Sequence, residues 1–470
     1  LEKDSKRTKQ KDSKRIRRKK TDNKVFQNET IRDGSMKKLL VIADDFTGAL
    51  DTGIQFAANG AGTEILTDTE FDFREYPSAE VFIVDTETRH VSGEEAYRIV
   101  YGLVKKAVDA GIDYLYKKTD SGLRGNVAME LTAALDASGG DFLAFLPAFP
   151  DMKRTVENGI SYIDGIPIER SVFGKDPFEP VTCSRIKDFF GKRREIVKEY
   201  REPSEVRIMA GRKQIAIFDS STDADLMRIG LYLQRHSLLG VVAGCAGFAS
   251  VIAKLLKISN RTVRSETTAQ GPLLIMCGSI NEISKKQLAR AQEKGYTRVT
   301  LTARQQLGQD YLKSEEGKTF LRMLHHICRS QRVCMIDTSS DRRQLEMWME
   351  TGTASLNDAR IRIAERLGEI AEGLTELGLN PVIMVIGGDT LFQLVRKMKC
   401  RQISLLGELE KGVVYSRMKA DGRSFEVISK SGGFGDEELL VRLIEKVTGE
   451  RRNENVETIF PEDARKGVWG

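Results

Sequence analysis

The chain is short of the residues that staple or ligate. Among its 470 residues there are six cysteines (183, 245, 277, 328, 334, 400), none in a Cys-x-x-Cys pair. The four histidines (90, 236, 325, 326) make no metal-ligand spacing with them. This excludes a zinc ribbon and a disulfide scaffold, and it fits reduced thiols in a cytoplasmic protein. Long apolar runs are also missing. The longest uncharged one, 238–253, is broken by Gly240, Gly244 and Gly247 and falls short of the ~20 residues that a membrane span needs. It reads as strand, glycine turn and helix start, so neither a membrane partner nor a secretory segment is expected. No Gly-x-x-x-x-Gly-Lys-Ser/Thr loop occurs, which excludes a P-loop NTPase. No clean Gly-x-Gly-x-x-Gly opens a helix in the first unit, which weakens a dinucleotide oxidoreductase. The helix-turn-helix signature that a DNA-binding regulator would need is absent as well.

Charge of one sign is scarce in the body of the chain. Residues 1–36 hold 13 Lys/Arg against 6 Asp/Glu, a net +7; the whole chain is +6, so the rest is −1. The basic balance belongs to an N-terminal extension, and a nucleic-acid partner is not expected. Residues 1–35 show no apolar periodicity, and the first methionine is Met36, just before the first strand signal. An overcalled start or a disordered extension is the expectation there.

What is present is a regular alternation. Glycine is frequent (41) and proline scarce (10), as suits tight turns between strands and helices. Residues 39–43 read as a strand, and Leu50, Ile54, Ala57 and Ala58 then fall at helical spacing. Further strands are expected over 63–67, 81–84, 114–116, 142–146, 215–218 and 239–243. Val127, Leu131, Ala134 and Leu135 mark another helix. This rhythm predicts an α/β fold with a mainly parallel sheet. Residues 147–182 interrupt it with Pro147, Pro150, Pro167, Pro177 and Pro180, which reads equally as a binding loop or a surface excursion. The polar, aperiodic stretch 258–272 marks a domain boundary. A second α/β series follows, with strands over 273–277, 298–301, 333–337, 382–386, 403–406 and 425–428.

Three polar clusters sit where these strands end. Asp44-Asp45 closes the first apolar run, and buried carboxylates there need partners, a metal or a polar ligand. In open α/β sheets that end of the strand is where ligands bind. Asp45 as a plain cap on a helix beginning near Ala49 is the simpler alternative. The second cluster, Lys117-Lys118-Thr119-Asp120-Ser121-Gly122-Leu123-Arg124-Gly125-Asn126, suits a small polyhydroxylated anion: Arg grips carboxylates in bidentate fashion and Asp orients a hydroxyl or takes its proton. Its simpler reading is a charged loop with Asp120 as a helix cap. The third cluster lies in the second half. There Gly278-Ser279-Ile280-Asn281, Gly387-Gly388-Asp389-Thr390 and Ser431-Gly432-Gly433-Phe434-Gly435-Asp436 each link a strand to a helix. Glycine lets backbone N–H groups approach an anion, and a helix N-terminus adds partial positive charge. Together the three turns favour nucleotide or phosphate binding. His325-His326 read as a surface helix, and Cys245 and Cys277 as small core residues.

These residues together resemble the four-carbon acid sugar kinase family. The resemblance rests on Ile42 to Ala49, Lys118 to Asn126, Pro147-Ala148-Phe149-Pro150, Asp164-Gly165-Ile166-Pro167 and Asp176-Pro177-Phe178-Glu179-Pro180. It continues with Gly278-Ser279, Gly387 to Thr390 and Gly432 to Gly435, in the family's order from about residue 38 to 448. Gly122 and Asn281 depart from it, where threonine and serine are frequent. The resemblance implies two α/β domains with a ligand cleft between them: a sugar-acid domain over 36–260 and a nucleotide domain over 273–449, joined by a linker over 261–272, with a tail over 450–470. It implies ATP with Mg²⁺ and a threonate, erythronate or oxo-tetronate type acid phosphorylated at a hydroxyl, the terminal one by expectation. Ser279, Gly387, Gly388, Asp389, Thr390, Gly432 and Gly433 would contact ATP. Asp44, Asp45, Lys118, Asp120, Ser121 and Arg124 would face the acid, with Arg124, helped by Lys118, on its carboxylate and Asp45 or Asp120 as base. Asp436 resembles the catalytic aspartate of other sugar kinases only superficially. No resident metal site is expected, and a homodimer is the assembly allowed. The competing reading is a sugar-acid-binding regulatory protein without turnover.

Overall fold

The computed structural model describes residues 38–175, 180–258, 271–279, 281–338, 356–410, 412–420 and 422–449. The expected extension over 1–35, the tail over 450–470 and the linker apart from Gly271 and Pro272 lie outside the described residues, as do 176–179 and Ile280. The chain divides into two compact units between residues 262 and 263.

The first unit begins with β1 (Leu39–Ala43), buried at every position, as a parallel strand covered on both faces must be. The elements that follow are α1 (Phe46–Ala57), β2 (Thr63–Leu66), β3 (Val81–Asp85), α2 (Gly93–Asp109), β4 (Tyr114–Lys118), α3 (Val127–Ser138) and β5 (Phe142–Leu146). Then come β6 (Arg154–Glu157), β7 (Ile160–Ile163), β8 (Ile166–Pro167), β9 (Val197–Tyr200), β10 (Gln214–Phe218), α4 (Asp223–Arg235), β11 (Val241–Gly244) and α5 (Ala246–Leu256). The sheet runs β2-β3-β1-β4-β11-β5-β10-β9, with every pair parallel. Helix α2 shows how sequence makes an element. Ser92 caps it by accepting from the Glu95 N–H, Glu94 and Glu95 occupy the positive first turn, and Ala96, Val100, Leu103, Val104 and Ala107 form its buried face. The proline-rich stretch holds a small antiparallel sheet, β6-β7-β8.

The second unit contains β12 (Leu273–Cys277), α6 (Glu282–Glu293), β13 (Thr297–Thr300), α7 (Glu315–Ser330), β14 (Val333–Asp337), α8 (Leu356–Glu376), β15 (Val382–Ile386), α9 (Gly388–Lys397), β16 (Gln402–Glu410), β17 (Val413–Ala420), β18 (Arg423–Lys430) and α10 (Leu439–Thr448). Its strand order is β13-β14-β12-β15-β18-β17-β16. The first five strands pair in parallel and the last three form an antiparallel meander. Strand β17 was not expected from the sequence, and the flanking strands run longer than read. The core joins β12, β14 and β15 to Leu440, Leu443, Ile444 and Val447 of α10. Among the described residues no helix is long and apolar enough to cross a membrane.

In each unit the strand order reverses beside its first strand. In the first, β1 leads to β2 and β3 on one side and β4 lies on the other; in the second, β12 leads to β13 and β14 on one side and β15 lies on the other. Ligands of open parallel sheets bind beyond the carboxyl ends of strands at such points.

Candidate active site

Register brings the first site together. Ala43 pairs with Asp85 on one side and with Lys118 on the other, so three loops leave the sheet at one level. They carry Asp44-Asp45, Thr86–Arg89 and Thr119–Arg124. Asp44 is 2 % exposed, and the partner it needs is Arg89. That guanidinium donates from Nε to Asp44 Oδ2 at 2.8 Å. Its Nη1 lies 2.8 Å from Asp45 Oδ2 and its Nη2 3.7 Å from Asp120 Oδ1. Burial works to lower the Arg89 pKa, but the Asp44, Asp120 and Asp45 charges outweigh it and raise it. Arg89 was not singled out from the sequence. Its signal was positional: it follows the third strand as the two recognised clusters follow theirs. Gly125 at φ +80 lets the 120s loop lie on it, since a Cβ there would fall 3.2 Å from Arg89 Cα. Asn126 Nδ2 then ties the loops, donating to the Thr88 and Val91 carbonyls at 2.9 Å.

Asp120 accepts from Arg124 Nε at 2.8 Å and Nη2 at 3.1 Å, and from the Gly122 N–H. It caps this turn and not helix α3, whose N-cap is Asn126. Burial works against the Asp120 carboxylate, but Arg124, Arg89 and Lys118 outweigh it and hold it well below the usual carboxylate range. Asp45 has two duties. Its Oδ1 accepts from the Gly48 N–H at 2.9 Å as the N-cap of α1, and its Oδ2 meets Arg89. The helix therefore starts at Phe46 and not near Ala49, because Asp45 supplies the cap. Lys118 is buried beside that helix start: a Cβ on Gly48 would sit 2.6 Å from its Nζ. Behind them, Lys117 Nζ pairs with Glu130 Oε2 at 3.0 Å, both almost fully buried. Asp44 Oδ1 and Thr119 Oγ1 are buried with no hydrogen-bond partner in the protein, so both can accept a bond from a ligand or water. Among the described residues no group of three or more His, Cys, Asp or Glu could hold a metal ion.

The second site forms the same way. Cys277 pairs with Ile386 and Ile386 with Lys430, so the three glycine turns leave their strands side by side. They interlock closely. A Cβ on Gly432 would lie 2.1 Å from Ser279 Oγ, one on Gly278 2.2 Å from Thr390 Oγ1, and one on Gly433 3.1 Å from Asn281 Nδ2. Gly387, at φ +117, opens α9. Ser284 Oγ donates to the Gly432 carbonyl, and Asn281 Oδ1 caps α6. Of the residues named from the sequence, Ser279, Gly387, Gly388, Thr390, Gly432 and Gly433 converge. Asp389 is 58 % exposed and 3.5 Å from Arg360. Asp436 is exposed and paired with Arg442.

Lys430 is the residue that sequence reading passed over here. It is 3 % exposed and donates from Nζ to the Ser431 carbonyl at 2.8 Å and the Phe434 carbonyl at 2.9 Å. Its ammonium pins the third glycine turn from within. Burial pulls it down from 10.5 to about 8. Between those values the unfolded chain holds the extra proton, so this group's contribution to stability rises as pH climbs from about 8 to about 10.5. The full penalty, up to about 3 kcal/mol, applies below that window. Urea denaturation of Lys430→Met should therefore lose this rise. An unchanged pH dependence would remove Lys430 from this account.

Comparison with known proteins follows the same division. Residues 39–252 match the model of a sugar-binding N-terminal domain, and residues 274–440 that of a nucleotide-binding C-terminal domain. The two halves of the chain are thus a sugar-binding domain and a nucleotide-binding domain. The chain belongs to the four-carbon acid sugar kinase family. It is 28% identical over 427 residues to a D-threonate kinase of Bordetella bronchiseptica, covering 88% of this chain and 98% of that one. It is 24% identical over 443 residues to a D-erythronate kinase of Heliobacterium modesticaldum (89% and 99%). It is 23% identical over 430 residues to a 3-oxo-tetronate kinase of Pseudomonas fluorescens (87% and 96%). A solved protein of Salmonella typhimurium LT2 shares the fold with a TM-score of 0.74 at 20% identity, covering 86% of this chain and 98% of that one.

Proposed function

We propose that the chain transfers the γ-phosphoryl group of ATP to a hydroxyl, the terminal one, of a four-carbon sugar acid of the threonate, erythronate or oxo-tetronate type. The observation that carries the reading is the three interlocked glycine turns at the reversal point of the second sheet, in a chain whose first sheet carries Asp44, Asp45, Asp120 and their cations at its own reversal point. Phosphoryl transfer needs placement and charge neutralisation more than covalent chemistry. The N–H groups at Gly387–Thr390 and Gly432-Gly433, with Ser279, suit the phosphates. An Mg²⁺ held with ATP needs only one or two protein carboxylates besides phosphate oxygens and water, and Asp389, exposed beside the second turn, fits that need. The ion supplies neutralisation of phosphate charge.

Lys118 and Ser121 lend the acid site donors, and Arg124 holds Asp120. Asp120, kept ionised by Arg124 and Arg89, orients the acceptor hydroxyl. Asp45, with 23 % of its side chain exposed, takes the hydroxyl proton. Asn keeps an N-cap intact, so Asp45→Asn should retain the fold yet lower kcat by about 10²–10⁴. A circular dichroism melt and an initial-rate assay check both halves of that expectation. The function itself is tested by following ATP consumption with Mg²⁺ against a panel of four-carbon aldonates and 3-oxo acids. Turnover of at least one acid, with none of the neutral sugars of equal length preferred, supports the reading. Binding of an acid with no ATP consumption would replace it with a regulatory protein.

A further inference from the structure

The two arginines nearest the acid site are not equivalent. Arg124 and Arg154 flank one aromatic ring, with their Cζ atoms 5.0 Å and 5.2 Å from the Phe173 centroid. Arg124 turns its Nε and Nη2 onto Asp120, so that edge of its fork already grips a carboxylate. Arg154 does not. It begins β6 of the small antiparallel sheet, its Nη1 donates to Ser121 Oγ, and its Nε is buried with no hydrogen-bond partner. Among the described residues no carboxylate pairs with it.

A guanidinium bonded at one nitrogen to a hydroxyl, set over a ring and left with a buried unanswered N–H is suited to a planar two-oxygen anion. Burial of the Nε makes its missing acceptor costly. Gly122 makes the arrangement possible, since a Cβ there would fall 2.7 Å from Phe173 Cδ1 and 2.9 Å from Asp120 Oδ2.

We propose that Arg154 is the specificity-determining residue that takes the carboxylate of the sugar acid, with Ser121 and Phe173 fixing its orientation, and that Arg124 is a positioning residue for Asp120. This rests on the sugar-acid reading above. It assigns selection for an acid over the matching polyol to the small sheet and not to the 120s loop.

The test uses the full chain, with threonate and erythronate as acids and threitol and erythritol as polyols lacking the carboxylate. Wild type should bind an acid by calorimetry at least tenfold tighter than its polyol. Arg154→Gln should weaken acid binding tenfold or more, leave polyol binding and the KM for ATP within twofold, and so erase the preference. Arg154→Lys, which keeps charge without the fork, should recover only part of it and serves in place of Arg154→Gln if that variant does not fold. Unchanged acid binding in the variants would overturn the assignment while leaving the kinase reading intact, and so would an equal loss for acid and polyol. A wild-type protein that neither binds nor phosphorylates any four-carbon acid would instead overturn the kinase reading on which the assignment rests.

Discussion

Replacing Arg89 with methionine should destabilise the first unit by about 3–5 kcal/mol, because it strands a buried carboxylate. Asp44 Oδ2 receives both Nε and Nη2 of Arg89 at 2.8 Å and is almost wholly shielded from water. Asp45 and Asp120 would lose the same cation. Three negative charges would then face one another around the ends of β1 and β4, and the loops that carry them would separate. Activity should fall below detection even at temperatures where the variant still folds. The double variant Arg89→Met with Asp44→Asn removes the stranded charge along with its partner. It should recover a large part of the stability, since deleting both halves of a buried pair is far milder than deleting one. Thermal or urea denaturation of the three proteins reads this directly. If the single variant were as stable as wild type, Arg89 would not be the hub of the site.

Gly432→Ala should reduce kcat/KM for ATP by about 10²-fold while acid binding stays as in wild type. The added methyl would sit 2.1 Å from Ser279 Oγ and 2.8 Å from Ser279 Cβ. The hydroxyl can rotate away, but the Cβ cannot, so the first and third glycine turns must part. A misplacement on the order of 1 Å at a phosphate-holding loop is enough for a loss of that size. The strain of overpacking is about 1–3 kcal/mol, which the unit should survive. Steady-state kinetics with ATP varied at saturating acid, alongside a melt, separates the two effects. An unaltered KM and kcat for ATP would take Ser279 and Gly432 out of the nucleotide reading.

Much of this was legible in the sequence because the two periodicities are clean. Strand β1 is five apolar residues followed by Asp44-Asp45, and α3 carries Val127, Leu131, Ala134 and Leu135 at helical spacing. The ends of those strands announced the clusters that the fold gathers. Besides Lys430, three things were not legible. Arg89 carries no motif of its own; its role arises only when Ala43 pairs with both Asp85 and Lys118. Strand β17 does not alternate at its start, where Val413 to Ser416 are all buried, although Gly412 and Gly422, at φ +73 and +76, stand between the strands as hairpin glycines do. The double role of Asp45 could not be resolved from spacing either. Cap and ligand group were weighed as alternatives, and one carboxylate has an oxygen for each task.

The order in which β4 gains its neighbours has a consequence for synthesis. Its partner β1 precedes it in the chain, and every residue of the arginine–carboxylate cluster is already present by Asn126. The other flank of β4 pairs with β11, which the ribosome delivers about 120 residues later. At ~5–20 residues per second that is a delay of roughly 6–25 s. Throughout it the nascent chain bears a row of unpaired backbone donors and acceptors along an apolar strand, the kind of border that recruits strangers. Holdase chaperones that cover nascent chains should therefore raise the yield of soluble protein most when they act before residue 244 has been made.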